Sequence, residues 1–119
     1  MNIISFNIGG IGSNPQRSTL KRFLYLNKLV IVLIHETMMS AMISCDYFLR
    51  VKPSWRVCPY DAHGLSGGAL VSWNPLEVDM KAFSTCACIL LDGILEGFDS
   101  TIHILNIYGP YTHKKHFWD

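Results

Sequence analysis

Apolar and polar positions along this chain follow two different rhythms, and the change falls near Ser54. Before it, the pattern predicts strand, helix, strand, helix. Ile3-Ile4-Ser5-Phe6-Asn7 is a short apolar run ending on a polar residue, and Gly9-Gly10-Ile11-Gly12 after it reads as a flexible loop. Asn14-Pro15 then supplies an N-cap with proline at the first helical position. Leu20, Phe23 and Leu24 recur at helical spacing, Arg17 and Lys21 share another face, and Lys28 follows Asn27 near the helix end. Val30-Ile31-Val32-Leu33-Ile34 is an unbroken, mostly β-branched apolar run, which predicts a strand buried on both faces. Residues 2–34 are thus a predicted β-α-β unit. A second helix is expected over residues 39–49, with Met38, Ala41, Met42, Cys45, Phe48 and Leu49 as its apolar stripe and the methionines as core filler. Pro53 prevents its continuation.

From Ser54 onward the period is two. Trp55 and Val57 alternate with Arg56 and Cys58; Ala69, Val71 and Trp73 with Leu70 and Ser72; Leu76, Val78, Met80 and Ala82 with Glu77, Asp79 and Lys81. Turn signals at His63-Gly64, Gly67-Gly68 and Asn74-Pro75 separate these runs. Strands are predicted at 84–95 and 101–107, joined by a hairpin loop over Glu96–Ser100, and residues 112–119 read as the first turns of a helix. There is no internal repeat and no low-complexity segment.

Composition narrows the class. The chain has 119 residues, enough for one core, and 50% hydrophobic against 16% charged residues argues against disorder. That apolar share is high for a small domain and suggests faces meant to be covered. No apolar run approaches the roughly 20 residues that span a bilayer, and no secretory signal precedes the first strand. Neither a membrane partner nor secretion is therefore expected. Cys45, Cys58, Cys86 and Cys88 include no Cys-x-x-Cys pair. They read as buried free thiols of a reducing, intracellular compartment rather than a zinc site. Net charge is only +1, yet residues 1–60 carry Arg17, Lys21, Arg22, Lys28, Arg50, Lys52 and Arg56 against just Glu36 and Asp46. Such a bias suits a phosphate backbone as partner, although solvated helix faces give similar counts.

Three strand ends hold the candidate chemistry. Asn7 ends the first apolar run, Glu36 follows the five-residue run after His35, and Tyr108 follows Ile102–Ile107. Each taken alone has the plain reading that a polar residue ends a strand. Together, an amide, a carboxylate and a phenol at sheet rims suit a metal ion and a phosphate.

The ordered set Asn7, Glu36, Gly64-Leu65-Ser66-Gly67-Gly68, Trp73-Asn74 and Tyr108-Gly109-Pro110 resembles the endonuclease/exonuclease/phosphatase family. Within it, the set is most similar to the apurinic-endonuclease-like domain at the front of plant non-LTR (LINE-type) retrotransposon polyproteins. The resemblance runs from the first strand to the last residue. It implies an α/β fold, the N-terminal part of a four-layered α/β/β/α sandwich with mixed β-sheets, and it explains the apolar excess. It also implies Mg²⁺ (or Mn²⁺) bound by Glu36 with help from Asn7, Tyr108 donating to a phosphate oxygen as charge builds during cleavage, DNA as partner and the nucleus as the place of action. Gly67-Gly68 is expected to let backbones approach closely.

The departures are equally specific. The family's Asn-x-Arg-Gly is here Asn7-Ile8-Gly9-Gly10, and its Gln before the acid is His35, which strand alternation turns to the opposite face. The family's water-activating Asp, its Asp-x-Asn and its Ser-Asp-His belong to a second half, and neither Asp-x-Asn nor Asp-His occurs in these 119 residues. Asp61-Ala62-His63 has suitable residue types but is expected in a loop before the glycines. Residues 1–119 therefore read as an incomplete domain, a fragment of a Mg²⁺-dependent phosphodiesterase inactive alone and in need of its missing half or a self-association partner. The competing readings are a phosphatase or RNA-nuclease branch of the same superfamily, and a non-catalytic nucleic-acid-binding remnant. Against the last, the basic residues lie on predicted helices without an interleaved aromatic platform. His113 and His116, with His103 nearby, are expected to be solvated rather than to ligate metal.

Overall fold

The computed structural model describes residues 2–63, 66–84, 88–95 and 101–107. Along the chain these form β1 (Asn2–Asn7), α1 (Asn14–Leu26), β2 (Leu29–His35), α2 (Ala41–Val51), β3 (Arg56–His63), β4 (Ser66–Trp73), β5 (Val78–Ser84), β6 (Cys88–Leu95) and β7 (Ile102–Ile107). Residues 108–119, with the expected tail helix, lie outside the described residues, as do Cys86 and the Glu96–Ser100 loop.

Two sheets stack. The first has the order β1-β2-β4-β3 and is mixed: β1 and β2 run parallel, as the β-α-β expectation requires, and β4 pairs antiparallel with both β2 and β3. The second, β5-β6-β7, is antiparallel throughout. Packing follows from β2, whose residues Leu29–Ile34 are all buried. Val32 and Ile34 join Leu70 of β4 in a core with Leu20 and Leu24 of α1 and Phe48 of α2. Ile31 and Leu33 meet Val71, Trp73, Val78, Met80, Ile89 and Leu91 in a second core between the sheets. A strand that feeds two cores must be apolar at every position, so the unbroken run is explained. The described layers are helix, sheet, sheet, in keeping with the α/β sandwich expected from the sequence.

Several local expectations shift. The residue capping α1 is Ser13 rather than Asn14, and Arg17 N–H donates to its carbonyl at 3.0 Å. Leu20 and Leu24 are buried, whereas Phe23 is exposed. α2 is rotated from its expected stripe: Ser44 and Phe48 face the core, and Met42 is 73% exposed. Ser44 tolerates burial because its hydroxyl donates back to the carbonyls of Ser40 and Ala41. Met38 and Met42 are thus not core filler; Met80 is, between the sheets. Gly67-Gly68 is not a turn between runs but lies within β4, and Asp61-Ala62-His63 is the end of β3 rather than a loop. The Asn74 turn holds as expected, its side-chain oxygen accepting from Leu76 N–H and its carbonyl from Glu77 and Val78.

Candidate functional site

Parallel pairing places Asn7 opposite His35, so β1 and β2 end on one rim and Glu36 is the first residue beyond it. The chains then stay zipped past the sheet. Ile8 N–H donates to His35 O (3.0 Å), Gly10 N–H to Glu36 O (2.8 Å) and Ile11 N–H to Thr37 O (2.9 Å). From the other side β4 grips the same segment, with Thr37 N–H donating to Gly68 O (3.3 Å) and Met38 N–H to Gly67 O (2.9 Å). The Glu36–Met38 turn is therefore clamped between the loop after β1 and the glycines of β4.

Left-handed backbone gathers at this rim. Among the described residues, left-handed φ angles occur at Gly9 (64°), Gly10 (106°), Glu36 (58°), Met38 (56°), Gly67 (78°) and Gly68 (85°), and at no others. All six belong to the three segments clamped together. For an L residue such as Glu36 or Met38 this conformation costs roughly 1–2 kcal/mol, and such costs persist where neighbouring structure over-determines the geometry, characteristically at binding sites. The left-handed turn also breaks strand alternation, so the Glu36 side chain is aimed by the clamp and not by the pleat of β2.

The side chains complete the arrangement. Oε2 of half-buried Glu36 accepts from Gly67 N–H at 3.4 Å. Asn7 is exposed, and its Oδ1 accepts from Gly9 N–H at 2.9 Å, the local bond by which asparagine shapes a turn. Asn7, Ile8, Pro15, Gln16 and Thr19 line a depression of about 180 Å³ where α1 begins. Thr37, the residue after Glu36, is fully buried, and its Oγ1 has no hydrogen-bond partner among the described residues.

Asn7 and Glu36 are thus brought together on one rim. Tyr108 lies outside the described residues; β7, which precedes it, belongs to the second sheet. His113 and His116 also lie outside. His103 pairs with Asp92 at 2.5 Å on β7 and β6. Among the described residues no group of three or more His, Cys, Asp or Glu gathers as a metal cage. The rim instead offers one carboxylate and one amide, both hard oxygen donors. That set fits Mg²⁺, which usually takes one or two carboxylates and completes its shell with water and substrate phosphate. Cys45 and Cys58 are free, half-buried thiols whose pKa is pushed up by burial, for Cys45 with a smaller contribution from Asp46. Neither is an activated nucleophile.

The sequence reading missed the backbone's part in the site. Gly67 and Gly68 supply one donor and two acceptors to the Glu36 turn; the doublet was visible, but its partner thirty residues upstream was not.

No protein-family profile and no curated protein sequence matches the chain. Solved structures do. A humanized D. rerio TDP2 carrying 14 mutations aligns with a TM-score of 0.66 at 15% identity, over 87% of this chain and 47% of that one. The 3′-5′ exonuclease NExo from Neisseria meningitidis aligns at 0.65 and 13% identity, over 99% of this chain and 48% of that one. A variant of the 3′ phosphatase NExo from Neisseria, bound to product DNA hairpin, aligns at 0.62 and 13%, over 98% and 48%. TDP2 and NExo are members of the exonuclease/endonuclease/phosphatase superfamily, and the chain shares their α/β sandwich fold. It spans about half the length of these structures.

Proposed function

We propose that the Asn7–Glu36 rim is the metal-and-phosphate corner of a Mg²⁺- or Mn²⁺-dependent phosphodiesterase acting on DNA, of the apurinic-endonuclease-like kind that heads LINE-type polyproteins. The observation that carries this reading is the clamp, in which three separated segments bearing six left-handed residues hold the Glu36–Met38 turn, with Gly67 N–H donating to the carboxylate. The glycines adopt this backbone freely, so the strain lies at Glu36 and Met38, and strain held by surrounding structure is characteristic of binding sites. Glu36 and Asn7 would hold the ion, which when bound neutralises phosphate charge and polarises a phosphoryl oxygen. Gly67 N–H orients Glu36, Gly9 N–H orients the Asn7 oxygen, and Tyr108 is assigned to a phosphate oxygen. The corner binds and positions; water activation and leaving-group protonation are assigned to the second half of the superfamily domain. A 3′ phosphatase acting on DNA ends needs the same corner, and the fold shared with NExo favours it as the second reading.

Two measurements test this. In ¹H–¹⁵N spectra, Mn²⁺ should broaden the amides of Gly9, Glu36 and Gly67 first, and Glu36→Gln should weaken that effect by at least the ~10–100-fold that loss of an outer metal partner costs. Broadening centred on another region, or unaltered in Glu36→Gln, rejects the assignment. The 119-residue chain should also leave supercoiled plasmid intact with Mg²⁺, since it holds neither Asp-x-Asn nor Asp-His. Nicking that vanishes in Glu36→Ala would overturn this half of the proposal.

A further inference from the structure

The outward face of α1 differs from an ordinary solvated helix surface. Its sequence, Asn-Pro-Gln-Arg-Ser-Thr-Leu-Lys-Arg-Phe-Leu-Tyr-Leu, contains no acid, and Lys28 follows just past its end. Leu20 and Leu24 take the core-facing side, so the polar face presents Lys21 and Arg22 beside Tyr25. Tyr25 is 86% exposed and Leu26 69% exposed, and helical spacing puts Lys21 and Arg22 one turn before the ring. Lys21 and Arg22 therefore do sit beside an exposed aromatic ring, contrary to the expectation from sequence. Ser18, Lys21, Arg22, Tyr25 and Leu26 line a depression of about 450 Å³, mostly apolar, with two cations on its wall.

This depression and the one at the rim lie along the same helix. The smaller depression holding Asn7 ends on Gln16 and Thr19 of α1, and Thr19 is one turn before Arg22 on the same stripe. From Pro15 to Tyr25 the helix advances ~15 Å at ~1.5 Å per residue, a path of a few nucleotides. Arg17 takes no part: its Nε donates to Ile11 O and its guanidinium lies over the Tyr47 ring.

We propose that this face of α1 is a second nucleic-acid contact, a track that holds an unpaired DNA strand running from the Asn7 rim, with a base stacked on Tyr25 and phosphates on Lys21 and Arg22. The direction of the strand rests on the reading of the rim given above; the contact itself rests on the helix. An exposed ring beside two cations matches a base and its neighbouring phosphates in a single strand. An acidic peptide would use the cations and ignore the ring. A membrane would need the helix's apolar stripe, and Leu20 and Leu24 are already buried.

The test is fluorescence anisotropy of the full chain with a short labelled single-stranded oligonucleotide, in EDTA, across a salt series. Tyr25→Ala should weaken binding ~5- to 100-fold, the range seen when a stacking aromatic is removed, and Tyr25→Phe should restore it. Tyr25→Leu keeps the bulk without the π-face and should behave like alanine, so a packing defect is separable from lost stacking. Lys21→Gln with Arg22→Gln should reduce the slope of log affinity against log salt by about 1.4, near 0.7 per lost phosphate contact. Unchanged affinity in Tyr25→Ala overturns the proposal, as does equal competition by blunt duplex, polyglutamate or anionic vesicles. Because EDTA removes the rim's ion, the two readings fail separately. Loss of Mn²⁺ broadening at Gly9 and Gly67 with Tyr25 still required sinks the rim alone, and the converse sinks the track alone.

Discussion

Replacing Gly67 with alanine isolates the energetics of the clamp. Gly67 has φ +78°, and a Cβ built there meets nothing within 4 Å among the described residues, so the substitution tests backbone conformation. Holding alanine in the left-handed region costs roughly 1–2 kcal/mol. The chain has one escape, which is to rotate the peptide and release the bond from Met38 N–H to Gly67 O at 2.9 Å together with the bond from Gly67 N–H to Glu36. Each such bond is worth about 0.5–1.5 kcal/mol, so escape costs about as much as strain, and the loss stays near 1–2 kcal/mol either way. At roughly 4 °C per kcal/mol for a domain of this size, Gly67→Ala should lower Tm by about 4–8 °C. Gly67→Asn should cost about half as much, since asparagine visits the left-handed region more readily. The assay is a thermal melt followed by circular dichroism, paired with the Mn²⁺ titration. If the chain escapes strain by rotation, Mn²⁺ affinity falls as well, because Glu36 loses its guide. A Gly67→Ala protein that melts with the wild type and binds Mn²⁺ equally would refute the clamp as an energetic feature.

Three further outcomes are expected. Gly93→Ala should be far more damaging than Gly67→Ala, because its Cβ would fall 2.0 Å from Asp79 O and 2.7 Å from Met80 Cα; backbone cannot yield like a side chain, so the loss should exceed the ~1–3 kcal/mol of ordinary overpacking, and a urea melt giving less would reject the close β5–β6 approach. Burial raises the Cys58 pKa above its ordinary 9.0, so the folded state disfavours the thiolate; stability from this group is whole below the unfolded value and declines as pH rises through the folded one. Urea midpoints should thus fall between neutral and alkaline pH more steeply for wild type than for Cys58→Ala, and identical slopes would contradict it. Phe83, Leu90 and Leu105 lie in register across the outer face of β5-β6-β7, with Phe83 and Leu105 each 53% exposed. Phe83→Lys with Leu105→Lys should reduce self-association in sedimentation velocity, and a wild-type chain that is already monodisperse would remove the basis for that expectation.

Local pattern carried the strands and their order of appearance. The apolar run at Val30–Ile34 specifies a doubly buried strand by itself, since no half-exposed element tolerates five large apolar residues in succession. Alternation after Ser54 likewise marked strands around Val57, Val71, Val78 and Leu91, though not that residues 61–63 and Gly67-Gly68 belong to them. Helix facing was less legible: Ser44 and Met42 exchanged their expected sides in α2, because a serine that satisfies its own hydroxyl is as easily buried as a methionine is exposed. Beyond the parallel β1–β2 pair that the β-α-β unit implied, strand pairing and the clamp belonged to the tertiary structure alone. Gly67-Gly68 reads as a turn when only its neighbours in sequence are considered, and becomes the backing of Glu36 once β4 lies beside β2. The exposure of Tyr25 is a fact of the same kind. Sequence periodicity assigns a residue to a face, but which face remains open is decided by what the rest of the chain covers, and that depends on contacts between segments far apart in sequence.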